Sequence, residues 1–323
     1  MATTETADTA TTTTASTTAN SGAATATATP LAAHAADAQP HRSARRGLRV
    51  PVSVIACFVV LGLIVLAAIF APIIAPHDPT TQNLRAKNLP PVFAAGGGAN
   101  HLLGTDNLGY DIFSRILHGA RVSLGIGVFA AILGTLFGTT MGLIAGFFRG
   151  FPDWIIMLFV DAQLATPFIV IAIAAIAAFG KSLLILVVLA GLSGWMLFAR
   201  AVRGSVLSLR EQEFVVAARA VGADDRRLLW RHILPNLGSI ILVIATIDLR
   251  RVILFEATLS FLGLGVQPPQ ASWGSMIDRG REYLNFAPWI SVFPGLALML
   301  TVLTVSLIGD WLRDMLDPRL RNG

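Results

Sequence analysis

The 323-residue chain is 54% hydrophobic and 13% charged, which excludes a water-soluble globule and disorder over its whole length. Its single cysteine, Cys57, excludes a disulfide scaffold. The net charge of +5 is carried almost wholly by arginines spread between apolar runs, which is not the clustered basic face of a nucleic-acid binder.

Residues 1–41 are dominated by Ala, Thr and Ser, with no aromatic residue. Such a segment cannot bury enough apolar surface to offset its ordering entropy, and it lacks the apolar stretch of a signal peptide. With the basic cluster Arg42, Arg45, Arg46 and Arg49, residues 1–50 read as a disordered cytoplasmic tail. Residues 52–75 carry no charge and have the length to cross a membrane, so 51–75 is predicted as the first transmembrane helix. Residues 76–118 are polar, rich in Pro and Gly, and read as an outer loop.

Residues 119–310 form the predicted core, with apolar runs at 122–148, 154–179, 183–198, 237–259 and 288–308. A charged inner segment, about 200–236, separates the fourth run from the fifth. Residues 311–323 form a short charged tail. The fold class is therefore all-α: a polytopic membrane protein with six transmembrane helices and both termini on one side. Most arginines fall in the segments this topology places in the cytoplasm, and Trp154, Trp289 and Trp311 fall at span ends.

Within the second span, Gly134, Gly138, Gly142 and Gly146 recur every four residues, on one helix face. Small residues let helix backbones approach closely in lipid, so this row predicts a packing seam. The inner segment reads as two short amphipathic helices around a turn at Gly222, the second begun by Asp224 and Asp225 and stopped by Pro235. Ala217, Ala218, Ala220 and Gly222 give it a low-relief surface for a docking partner. In the fifth span, Asp248, Arg250, Arg251 and Glu256 lie within or near the membrane. A charge there costs about 2.5–3.5 kcal/mol, so these groups either line a watery pathway or pair internally to fix helix packing.

Three patterns are decoys. Gly180-Lys181-Ser182 mimics the end of a phosphate-binding loop, but Ala175 stands where its first glycine is required. Gly191-Leu-Ser193-Gly194 resembles the serine motif of an intramembrane protease, which needs a histidine base. His34, His41, His77, His101, His118 and His232 all lie outside the spans. The same scatter, with one cysteine, predicts no metal site, and no cofactor is expected. A secondary transporter would show inverted repeats with broken helices, which the sequence lacks, and would leave the inner hairpin without a purpose.

The inner segment resembles the EAA loop of inner-membrane permeases in binding-protein-dependent ABC transporters. Ala217, Ala218, Gly222, Leu234 and Pro235 stand at the pattern's spacings. Val216 replaces its Glu, and His232 its Ile, the latter as in the peptide branch. Leu103–Asp111, Gly119–Leu124, Ser208–Phe214, Glu256–Pro269, Ser272–Gly274 and Leu316–Arg319 are similar to the C-type subunit of dipeptide, oligopeptide and nickel permeases. The likeness runs from about residue 50 to the end, with Tyr110 in place of the branch's Arg. It implies a non-enzymatic subunit, with a fold like type I ABC importers, in the cell (inner) membrane. Its implied partners are a second homologous permease subunit, two cytoplasmic ATP-binding subunits, an extracytoplasmic substrate-binding protein, a peptide substrate and membrane lipid, but no nucleic acid. Glu213, Ala217, Ala218, Gly222, Leu234 and Pro235 would then couple to the ATPases. Nickel chelates, glutathione and antimicrobial peptides remain alternative substrates.

Overall fold

The computed structural model describes residues 51–316; the tail, its basic cluster, His34, His41 and the end of the Leu316–Arg319 motif lie outside them. The chain begins with α1 (Val52–Ile69) and the single turn α2 (Ala71–Ile74), followed by the outer loop. Then come α3 (Ile112–Phe148), α4 (Gly150–Ala165), α5 (Phe168–Phe179), α6 (Leu183–Leu192) and α7 (Trp195–Leu209). The inner hairpin holds α8 (Glu213–Ala220) and α9 (Asp225–Arg227), and α10 (Gly238–Phe261), α11 (Trp273–Gly280) and α12 (Trp289–Leu316) complete the chain. Among the described residues there is no β-strand, only an isolated bridge between Thr105 and Asp111. This is an all-α polytopic membrane fold.

The 37-residue α3 is the central post, packed against α1, α6, α7 and α10. In lipid, apolar surface drives helices together only weakly, so close backbone approach must supply the contact energy. The glycine row supplies it. A Cβ at Gly134 would lie 2.7 Å from the Gly191 carbonyl oxygen, and one at Gly142 2.6 Å from that of Ala199. At Gly146 it would lie 2.7 Å from the Val206 Cβ, and at Gly138 it would meet the Trp195 carbonyl. The row therefore faces α6 and α7 of the same chain.

Four segments have the length and apolarity to cross a membrane: Val52–Ile69, Ile112–Phe148, Leu183–Leu209 and Trp289–Leu316. The pair α4–α5 makes a fifth if it counts as one crossing. The remaining predicted span, α10, has the length but carries Asp248, Arg250, Arg251 and Glu256.

The structure differs from the sequence expectations at four places. First, α3 starts at Ile112, inside the predicted outer loop, because the Asp111 side chain accepts the Ser114 N–H and caps it there. Second, the run 154–179 is not one rod. It bends by 94° between α4 and α5, where Pro167 lacks an N–H and holds Thr166 extended (φ −113°, ψ 137°). Third, the fourth span is interrupted at Ser193–Gly194 and continues to Leu209.

Fourth, Pro235 does not stop its helix. The chain passes from α9 through a π turn (Leu228–Ile233) and a 3-10 turn (Leu234–Leu237) directly into α10. Proline is tolerated in a first turn, where no donor is needed. The change of helical pitch creates such a turn at Leu234–Leu237, and Gly238 continues in right-handed helical geometry.

Candidate functional site

The inner hairpin is built on a small apolar core. Val215, Leu228, Ile233 and Leu237 are buried against Phe147 at the end of α3 and Val202 and Val206 on α7. Its turn follows from Gly222, which adopts φ +88°. The Ala223 N–H reaches the Ala218 carbonyl (3.1 Å) and the Gly222 N–H that of Arg219 (3.0 Å), a Schellman closure whose left-handed residue is usually glycine. Gly222 is thus required by the backbone, beyond any low-relief surface. The Arg149 guanidinium binds Glu211 (2.9 Å), and Arg210 donates to the Phe147 carbonyl (2.7 Å), which ties the hairpin's entry to α3.

Outside this core the hairpin is bare. Glu213, Ala217, Gly222 and Pro235 are exposed, and Ala218 and Leu234 are half-buried. Phe214, Val216, Val221 and Trp230 expose 43%, 55%, 87% and 64% of their surfaces, so the hairpin carries exposed apolar side chains as well as exposed Ala217. Val216 stands where the EAA pattern has Glu, so an apolar side chain occupies that surface position.

The α10 charges form two buried polar nodes. Asp248 is fully buried and accepts from Arg251 (Nη2 to Oδ1, 3.0 Å), while Arg251 also donates to the Ser193 hydroxyl (3.2 Å). Gly194 leaves the room they need, since a Cβ there would strike both side chains. The pair thereby latches α10 to the α6–α7 interruption. The other Asp248 oxygen faces Gly134 and has no partner among the described residues. Glu256 is also fully buried, with the Ser260 hydroxyl at 2.6 Å and the Ser123 hydroxyl at 3.4 Å. The Ser272 hydroxyl bonds Ser260 (3.2 Å), and Ser123 accepts the Trp273 N–H (3.2 Å), so this node joins α3, α10 and α11. Arg250 stands apart from both and donates to Ser306 on α12 (3.3 Å).

Sequence reasoning singled out the charges but missed their partners, Ser123, Ser193, Ser260 and Ser272. Each lies in a quoted motif, but only Ser193 and Ser272 stand beside a Gly or Ala, and no common sequence signal marks all four. Asp153 and Asp161 on α4 were also unassigned; they pair with Arg203 and Arg200 on α7.

The outer loop is a compact knot. Asp106 accepts the Leu108 and Tyr110 N–H groups (both 2.9 Å) and pairs with buried Arg115 (3.4 Å). The Arg115 guanidinium lies 4.1 Å from the Tyr110 ring centroid, and the Tyr110 hydroxyl accepts from Gln82 (2.7 Å). Tyr110 therefore supplies an aromatic face where the branch has Arg. Asp78 is held below the usual carboxylate pKa by hydrogen bonds from the Thr80 hydroxyl and N–H.

Two of the histidines, His77 and His101, come together in space. His77 and His101 stack with ring centroids 4.7 Å apart, and both face Asp111. Residues 24 and 10 positions apart meet because the loop folds back onto the cap of α3.

The decoys have structural uses. Ser182 caps α6, and Lys181 donates to the Gly263 carbonyl (2.8 Å). The Ser193 hydroxyl donates to the Ala190 carbonyl (2.6 Å) and receives Arg251.

The family of binding-protein-dependent transport system inner membrane components matches residues 138–322. A second family model, the N-terminal TM domain of oligopeptide transport permease C, matches residues 40–91. The dipeptide transport system permease protein DppC of Alkalihalophilus pseudofirmus is 41% identical over 88% of this chain and 91% of its own. The glutathione transport system permease protein GsiD of Pectobacterium atrosepticum is 42% identical over 86% and 90%. A solved structure of the MetNI methionine ABC transporter has a chain with a TM-score of 0.53 and 17% identity, covering 64% of this chain and 98% of that one. That likeness is one of fold.

Proposed function

This chain belongs to the family of binding-protein-dependent transport system inner membrane components, and we propose that it moves peptides into the cytoplasm as one permease subunit of an ATP-driven importer. A second homologous permease subunit completes the pathway. Two cytoplasmic ATP-binding subunits dock beneath, and an extracytoplasmic binding protein delivers substrate. The chain crosses the inner membrane six times with both termini in the cytoplasm, counting α4–α5 and α10 as crossings. The arginine-rich inner segments support that orientation.

The observation that carries this reading is the hairpin at the inner ends of α3 and α7. Its surface exposes Phe214, Val216, Val221 and Trp230 together with Ala217, and exposed apolar and small side chains suit a groove-shaped partner. ATP hydrolysis takes place in the partner subunits. Their closure pushes the hairpin, and the push passes two ways. One is through Val215, Leu228 and Leu237 into α3 and α7; the other is along the unbroken helical path from Asp225 into α10. Alternating access follows as a rigid-body switch between two arrangements.

The relatives DppC and GsiD are named for dipeptide and glutathione transport, and dipeptides are the substrate proposed here. The deciding experiment is uptake by a strain lacking this gene, with and without the gene restored. Dipeptide uptake that returns with the gene supports the proposal. Restored glutathione uptake without dipeptide uptake replaces the substrate, and no restored import of either overturns the dipeptide assignment.

A further inference from the structure

We propose that the outer loop holds a divalent transition-metal site formed by His77, His101 and Asp111. Their ligand atoms lie within 4.8 Å of one another, from three separate parts of the chain. The Asp111 Oδ1 is 2.9 Å from the His101 Nδ1 and 3.8 Å from the His77 Nδ1. Nitrogen and oxygen ligands at ordinary zinc bond lengths are about 3.4 Å apart in a tetrahedron. The two Asp111 spacings bracket that value, and the third, between the imidazole nitrogens, is within 4.8 Å, so seating an ion asks the His77 and His101 rings to close on Asp111.

Two observations separate this cluster from an ordinary hydrogen-bonded histidine. The His77 Nδ1 is buried and has no hydrogen-bond partner among the described residues, although it points at a carboxylate. A buried ring nitrogen without a partner costs free energy that an ion would remove. The acceptor is also held in place. Asp111 is 2% exposed, and its second oxygen takes the Ser114 N–H at 2.8 Å. Ser114 in turn accepts the backbone N–H of His77 through its hydroxyl (3.2 Å). Such outer bonds orient metal ligands.

The ligand set is two imidazoles and one carboxylate, with no thiolate, which suits zinc or a neighbouring first-row divalent ion. The His77 side chain is 39% exposed, against 12% for His101 and 1% for Asp111, so its side is the entry path and the place for a water ligand. An ion here would clip the segment following α2 to the first turn of α3.

The test uses the full-length chain purified from membranes, stripped with chelator and titrated with zinc alone. Bound zinc is counted for the wild type, His77→Ala, His101→Ala and, as a control, His232→Ala in the inner hairpin. The expected result is one more zinc per chain in the wild type and control than in His77→Ala or His101→Ala, with binding at least tenfold weaker in those two. His77→Ala removes a ring nitrogen that makes no hydrogen bond, so it decides the matter even if His101→Ala does not fold. Equal zinc binding by the wild type and His77→Ala would overturn the proposal.

Discussion

The inner hairpin and the charged stretch of α10 solve opposite problems. The hairpin turns apolar side chains outward, with Val221 87% and Trp230 64% exposed, and leaves them uncovered within this chain. The α10 stretch turns its carboxylates inward, with Asp248 and Glu256 fully buried, and serines and an ion pair partner all but one Asp248 oxygen. Exposed apolar surface outside the membrane marks a place where something docks. Buried, partnered charge marks a place where helices are held to one another. The difference teaches that in this chain charge alone does not locate the functional surface; the partners of each charge do.

The comparison breaks most severely if the glycine seam can be filled without harm. Gly142→Leu would drive a side chain into the Ala199 carbonyl and Val202 and force α3 from α7. Overpacking a tight interior costs about 1–3 kcal/mol, and here backbone must move. The expected outcome is loss of the chain from the membrane, read by immunoblot. Gly125→Leu on the same helix, where a Cβ meets nothing within 4 Å, should leave the amount unchanged.

Next in size is the Asp248–Arg251 latch. Asp248→Ala leaves Arg251 with Ser193 alone, at a cost on the order of 2 kcal/mol because Arg251 is partly exposed. Thermal unfolding in detergent should show the loss, and the double change Asp248→Ala with Arg251→Met should recover part of it. A double variant whose loss equals the sum of its single changes would show that these residues are not a pair.

Gly222→Ala should be milder. Placing a side chain at φ +88° costs on the order of 1 kcal/mol, so the hairpin should lose some thermal stability while transport is reduced rather than abolished. The smallest effect is expected for Arg250→Ala, which removes one 3.3 Å hydrogen bond to Ser306. Unchanged stability with an altered preference among charged peptides would assign Arg250 to the pathway and set it apart from the two nodes.

Apolar runs located α10 within a few residues and marked the central parts of α1, α3 and α12, because hydropathy reports burial in lipid directly. Their ends were harder to read. Asp111 caps α3 well before the apolar run begins, and a cap is a local hydrogen bond that hydropathy does not register. Pro167 was visible, yet a 94° bend inside an apolar stretch leaves the average hydropathy unchanged. At Pro235 the sequence predicted a stop, but a change from π to 3-10 pitch carried the helix through.

The hairpin turn was legible because Gly222 is demanded by a backbone angle, which sequence spacing preserves. The two polar nodes were legible only by half. The charges stand out in an apolar span, whereas Ser193 and Ser123 are brought to them by packing across 58 and 133 positions. The His77–His101–Asp111 cluster was invisible for the same reason, since nothing in its sequence spacing resembles a metal motif.

We propose that the hairpin's small-residue face is where the ATP-binding subunits engage. Ala217 is exposed on α8, and glutamate is a good helix former, so Ala217→Glu should leave the fold intact. The direct measurement is co-purification of the ATP-binding subunits with the wild-type and Ala217→Glu chains, alongside peptide uptake. The account predicts normal amounts of the variant in the membrane, at least tenfold less co-purified ATP-binding subunit, and no uptake. Normal co-purification and normal uptake by the Ala217→Glu chain would contradict it.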